Sequence, residues 1–306
     1  MTSDQWVALF AAIVGGALRV GAPFLFVSLG ECLTEKSGRI NLGLEGVLVL
    51  SAMASFGGAY LTNSVWLGVL IGAAAGGALA LLHGVLCSLK GVNDVATGIA
   101  LMLFGTGLAF YLGKPLIQPQ APQLPALPLG DWSGNAVVRA ALQVNVLLPL
   151  GLVLAGVMHW AFSHTRVGLL VRMAGDSANA TRALGYSVSG IRIAATAVGG
   201  CIAGLGGACL TLFYPGSWNE GISSGQGLIA VALVIFARWS PLRCVGAAFL
   251  FGGAGAVGPA LQSIGIGWGY QLFGTVPYVL TLVILFFTCR PGSVTPGTPG
   301  ELSSTR

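Results

Sequence analysis

Apolar windows of roughly 20 residues, the length a helix needs to cross about 30 Å of hydrocarbon, recur from one end of this 306-residue chain to the other. They fall near 6–30, 42–61, 66–88, 93–112, 144–162, 192–213, 218–237, 244–262 and 271–289. Only 8% of residues are charged against 55% apolar, with a mean hydropathy of +0.86, so the chain has too little polar surface to face water all round. Lipid offers no partner to a bare peptide group, and the two-residue alternation of a membrane barrel is absent from the sequence. The expected fold is therefore all-α and integral to the membrane, a polytopic bundle of about eight to ten transmembrane helices with broken or half helices. One domain is expected over 1–290, followed by a disordered tail over 291–306. The first run has Asp4 and Trp6 in place of a basic flank, and reads as a retained anchor rather than a signal peptide.

Orientation is read from lysine and arginine. With the loops in strict alternation, 11 basic residues fall on one side and only Lys114 and Arg139 on the other, while Arg19 lies inside the first span. The first side is expected to be cytoplasmic, which puts the N-terminus outside and the tail inside. The six cysteines and three histidines lack metal-ligand spacing, so no metal and no cofactor is expected, and the thiols are expected to be free.

Two loops exceed twenty residues. The external one, 113–143, carries five prolines and is expected to be a stiff, extended spacer or a surface for an extracytoplasmic partner. In the other, 163–190, Asp176 or Ser177 is placed to cap a short helix running through Ala180 to Leu184, and Gly185 suits the left-handed turn that ends it. Arg172, Gly175, Asp176, Ala180, Arg182, Ala183, Leu184 and Gly185 are singled out as a lever that presses into a groove on another protein and transmits force; the alternative is an ordinary basic loop.

Glycine makes up 48 of the residues, and Gly72–Gly76 and Gly200–Gly204 have the small-xxx-small spacing that lets helix backbones approach in lipid. The apolar pattern is interrupted at Gly21-Ala22-Pro23 and Gly30-Glu31, and again from Pro215 to Gly227, after which about ten apolar residues remain. Ten residues reach roughly half the hydrocarbon thickness, so a half-helix is expected there. Broken helices mark binding sites in carriers because unpaired backbone groups survive in the membrane only where they line a cavity. Candidate pathway residues near these breaks are Asn41, Glu45, Asn93, Phe213, Trp218, Glu220 and Gln226. For Glu45 the expected partners are Arg19 or Asn41; for Asn41 and Asn93 the plain alternative is helix capping, and for Trp218 an aromatic belt.

The runs Gly30-Glu31 to Gly38 and Asn41-Leu42-Gly43-Leu44-Glu45-Gly46 resemble the signature of ABC importer permeases of the branched-chain amino acid, ribose and nucleoside type. Asn93 to Gly98, Arg172 to Gly185 and Gly225 to Pro241 are similar to further segments of that family, in its order. Asp176-Ser177 departs from the usual Glu-Asn-Pro. The resemblance implies a pore subunit in the bacterial inner membrane, paired with a second permease, driven by a cytoplasmic ATPase and fed by an extracytoplasmic binding protein, with no nucleic acid involved. It also implies a nucleoside as the leading substrate, with ribose or another simple sugar as the alternative. None of the three lysines lies in a G-x-x-x-x-G-K-[ST] context, in line with an ATP site on another chain. An ion-coupled secondary carrier is the competing class, and an intramembrane enzyme is disfavoured by the lack of an HExxH or GxSG motif.

Overall fold

The longest element is α1, Ser3–Lys36, which runs unbroken through Pro23. The expected break at Gly21–Pro23 and Gly30 is absent, and packing explains why. Pro23 removes one donor from the helix ladder, yet its neighbours Ala22, Phe24, Leu25 and Phe26 are almost completely buried, so surrounding helices hold the turn together. Gly21 and Gly30 are sites of close approach instead: a Cβ on Gly30 would lie 2.2 Å from the Gly199 carbonyl oxygen.

The computed structural model describes residues 3–132, 134, 138–139, 142–263, 274–288 and 297–304. After α1 come α2 (Leu44–Thr62), α3 (Val65–Leu86) and α4 (Asp94–Gly113). A short hairpin pairs β1 (Ala126–Pro128) with β2 (Gln143–Asn145) in antiparallel register, Leu127 opposite Val144. The proline-rich loop, expected to be a stiff spacer or a partner surface, is thus tied from its middle to its end by this pairing, and Leu124 N also donates to Leu212 O at 2.7 Å. Next follow α5 (Leu147–His164), α6 (Arg166–Asp176), α7 (Ala178–Ala183) and α8 (Val188–Leu212). The chain continues with α9 (Gln226–Phe236), α10 (Pro241–Ser263), α11 (Val276–Thr288) and α12 (Gly300–Ser304).

Seven of the described helices are long and apolar enough to cross a membrane: α1 to α5, α8 and α10. Each of the nine expected runs contains a helix among the described residues, but those of α9 and α11 have only 11 and 13 described residues, and 218–225, ahead of α9, are not helical. The protein is an all-α, multi-pass membrane protein. α2 and α8 lie at its centre, α8 packing on α1, α2 and α3, while α10 lies along α1 and α4 along α2. Leu70, Leu103, Tyr111 and Phe286 are more than half exposed, on outward faces that meet lipid.

The α3–α8 seam joins the two glycine pairs of the sequence. A Cβ on Gly204 would lie 2.6 Å from the Gly72 carbonyl oxygen, and one on Gly76 equally close to that of Gly200. Any side chain there would push the helices apart.

One end of the bundle gathers Lys36, Arg39, Arg166, Arg192 and Arg238, and is called the basic end below; the proline-rich loop marks the other. At the basic end α6 folds back from α5, its start capped by Thr165 Oγ1, which accepts from Gly168 N at 3.0 Å. α6 is an addition to the expected short helix, and its buried residues Gly168, Val171, Ala174 and Gly175 show the three-to-four spacing of an amphipathic helix. The tail expected to be disordered carries α12 in its described part, 297–304; residues 291–296 lie outside the described residues. The five described cysteines are free thiols.

Candidate functional site

Among the described residues, six of the fifteen buried polar or charged ones fall between positions 31 and 41: Glu31, Thr34, Glu35, Ser37, Arg39 and Asn41. Buried polar groups need partners, and those of this segment assemble a scaffold. Glu31 and Glu35 sit one turn apart on α1, so both carboxylates leave the same helix face. Glu31 Oε1 accepts from Asn41 N at 2.9 Å, drawing the chain back after the left-handed turn at Gly38. Arg39 Nη1 pairs with Asp94 Oδ1 at 2.5 Å and so ties the segment to the start of α4. Asn41 Oδ1 accepts from Gly43 N at 3.0 Å, an Asx turn that launches α2 two residues after the expected cap; the helix-capping position itself belongs to Gly43.

This entry sets Glu45 deep. Gly46 lies against the Met102 carbonyl, and Met102 is about two turns along α4 from Asp94, roughly 12 Å along the helix axis. There the Glu45 carboxylate meets the N-terminus of α9. Oε1 accepts from Ser223 Oγ at 2.5 Å and Gly225 N at 3.2 Å, and Oε2 accepts from Gly227 N at 2.7 Å. The first turn of α9 holds no acidic residue of its own. Its free N–H groups and the positive end of its dipole therefore take a carboxylate from another helix. Gly227 permits the approach, since a Cβ there would lie 2.5 Å from Glu45 Cα. The expected partners were wrong: Arg19 instead donates through Nε to Gln143 O at 3.3 Å, and Asn41 serves its own turn.

The other end of α9 is held by the same signature. Arg238 and Trp239 both take positive φ, 50° and 53°, closing the helix with a turn that aims the indole back at α1. Trp239 Nε1 donates to Glu35 Oε2 within the buried interior. Two non-glycine residues in the left-handed region cost on the order of 1 kcal/mol each, and the indole–carboxylate bond helps hold them there. The half-helix is thus gripped at its N-terminus by Glu45 and at its C-terminus by Glu35. Tyr278 of α11 adds a hydrogen bond to Ser224 O at 2.5 Å.

Of the other candidate pathway residues, Gln226 alone joins Glu45 at the start of α9. Gln226 is the first residue of α9, beside Glu45. Asn93 caps α4, accepting from Val95 N at 2.9 Å and Ala96 N at 3.0 Å. Trp218 is 1% exposed, and a Cβ on Gly113 would lie 2.3 Å from its Nε1. Asn93 and Trp218 therefore stand at opposite ends of α4, nearly 30 Å apart along its axis, and Trp218 is packed away from any aromatic belt. Phe213 ends α8 and packs on the core, and Glu220 is exposed.

The coupling candidates divide in two. Arg172 and Gly175 belong to α6, and Gly175 is buried against α1, where a Cβ would lie 2.2 Å from the Lys36 carbonyl oxygen. Asp176 ends that helix. Ser177 is the cap of α7, its Oγ accepting from Ala180 N at 3.2 Å. Ala180, Arg182, Ala183, Leu184 and Gly185 are exposed, and Gly185 has φ +82°. Sequence reasoning missed Ser223, Glu35 with Trp239, and Tyr278. The signal for a remote acceptor was the acid-free start of α9.

Residues 12–288 match the family model described as the branched-chain amino acid transport system permease component. The chain belongs to that permease family. As a permease it is a transport subunit and not an enzyme, a multi-pass protein of the plasma membrane. ABC permeases of this family associate with an ATPase and a substrate-binding protein. The permease is 30% identical to a Haloferax volcanii protein named for glucose ABC transport, over 95% of this chain and 96% of the other. It is 27% identical to a nucleoside ABC transporter permease of Lactococcus lactis, over 89% and 90% of the two chains. A guanosine ABC transporter permease of Bacillus subtilis is also 27% identical, over 91% and 92%.

Proposed function

We propose that this permease is the membrane-spanning subunit of an ATP-driven importer and that its solute is a nucleoside. The observation that carries the reading is the half-helix α9, whose N-terminus ends at membrane depth on Glu45. Such an element can change its contacts as the bundle tips, opening a path beside Asn41, Glu45 and Gln226 to either face in turn. In this reading α7 is the lever: ATPase closure presses on Ala183 and Leu184, and the push travels through Gly175 to the end of α1. Each conformation must differ in its contacts with the lever for nucleotide to drive transport. The basic end is cytoplasmic, the tail with it, and a second, different permease completes the pore.

Vesicles holding the permease with its ATPase, binding protein and second permease are expected to take up guanosine only with ATP, without competition from excess glucose. Competition by glucose would shift the solute to the simple-sugar reading, which the full-length similarity to a glucose-named relative favours. Uptake driven by a proton gradient without ATP would place the chain among ion-coupled carriers. A membrane-impermeant thiol reagent should label Asn179→Cys, on the exposed face of α7, only in inside-out vesicles. Gly185→Val, which costs about 1–2 kcal/mol in the left-handed region, should uncouple uptake from ATP hydrolysis and leave the subunit inserted.

A further inference from the structure

Residues 297–301 touch five elements at the basic end. A Cβ on Gly297 would lie 2.9 Å from the Arg238 carbonyl oxygen, in the turn that closes α9. The Gly297 carbonyl accepts from Lys36 Nζ at 3.1 Å, at the end of α1. Three residues on, Gly300 rests against α6, where a Cβ would lie 2.4 Å from the Asp176 carbonyl oxygen. Glu301 Oε1 then accepts from Ala178 N, the first amide of α7, at 2.9 Å, and its Oε2 faces Arg192 Nη2 at 3.4 Å. Arg192 itself donates to Ser37 O and Ala174 O at 3.0 and 2.8 Å, so Glu301 is anchored to a guanidinium already fixed between α1, α6 and α8.

We infer that residues 297–301 form a strut joining α7 to the closing turn of α9, with Glu301 the positioning residue at one end and Gly297 the seat at the other. The inference rests on the reading of α7 as the ATPase lever. A helix of six residues is too short to hold itself in water. Ser177 and Glu301 supply acceptors for its first turn, and the negative charge suits the helix start. Because the same five residues touch the Arg238 turn, a displacement of α7 reaches the half-helix directly, in parallel with the route through α6 and α1.

The test is hydrogen exchange on the full chain in nanodiscs, read in the peptide covering 178–184, with unchanged exchange in α3 certifying the fold. Glu301→Ala should speed α7 exchange about tenfold, the low end for losing a hydrogen bond to a charged group, because the carboxylate is one-third exposed. Gly297→Val, at the far end, should speed the same peptide about threefold, since its φ of +94° and the Arg238 carbonyl leave a branched side chain no room. Glu301→Asp should recover at least half of the protection. In the assembled importer Glu301→Ala should move about threefold less solute per ATP while hydrolysis continues. Unchanged α7 exchange in Glu301→Ala overturns the strut, and so does a response confined to Glu301→Ala with none from Gly297→Val. Faster exchange in both with unaltered solute per ATP overturns its role in transmission. ATP-independent uptake by the unaltered protein would break the importer reading instead, and the two exchange results would still decide whether the strut exists.

Discussion

The α3–α8 seam and the grip on α9 are both tight contacts at the heart of one bundle, built from opposite chemistry. In the seam, Gly72, Gly76, Gly200 and Gly204 bring backbone against backbone, and no side-chain hydrogen bond need be remade for the helices to separate. Its strength is close packing, which falls away steeply with distance. In the grip, Glu45 and Glu35 hold a half-helix by a handful of directed bonds. Those bonds can be exchanged for others of similar kind, whereas a packed seam has one good register. The seam suits a part that moves as a rigid unit, and the grip suits the part that moves against it.

Substitutions can break that contrast or sharpen it. Gly204→Val should have the largest effect on stability, at least ~3 kcal/mol from overpacking against the Gly72 carbonyl and Ala73 backbone. It should be seen as loss of monodisperse protein on mild heating; normal thermal behaviour would mean that the seam yields. Glu45→Ala should come next, stranding Ser223 Oγ and two backbone amides at ~2–3 kcal/mol in all. Here the protein should still insert and purify, with uptake abolished; Glu45→Gln, which keeps an acceptor, should lose only part of the activity. Trp239→Phe leaves Glu35 without its indole donor and should cost ~1.5 kcal/mol, read as faster amide exchange across α9 but not across α8. Smallest is Asn93→Ala, a lost cap of ~1 kcal/mol. It should leave solute specificity untouched, and a change in specificity would return Asn93 to the pathway.

Much of this architecture was legible. Recurrent apolar windows forecast the helices, and the polar stretch from Pro215 to Gly227 forecast that α9 would be half length, because ten or so apolar residues cannot span the hydrocarbon. Asp176 or Ser177 at one end and Gly185 at the other marked α7 because caps and left-handed turns select residue types locally, and the structure chose Ser177. The continuity of α1 was not legible. Pro23 carries a local helix penalty, and only the surrounding buried aromatics and leucines show that it is overcome. Nor was the strut, since contacts such as Glu301 with Ala178 link positions 123 residues apart and leave no periodic trace.

Sequence alone determined that this protein lives in a bilayer, that its spans are helices, and that glycines at Gly72–Gly76 and Gly200–Gly204 lie on contact faces, because solvent, backbone satisfaction and side-chain size are properties of the residues themselves. Only the tertiary structure decided that those two glycine pairs meet each other. It alone assigned the Glu45 carboxylate to a helix start 180 residues away, beginning with Gly225. Partner choice depends on which donors are left unsatisfied once the bundle has closed, a property of the assembled backbone rather than of any one segment.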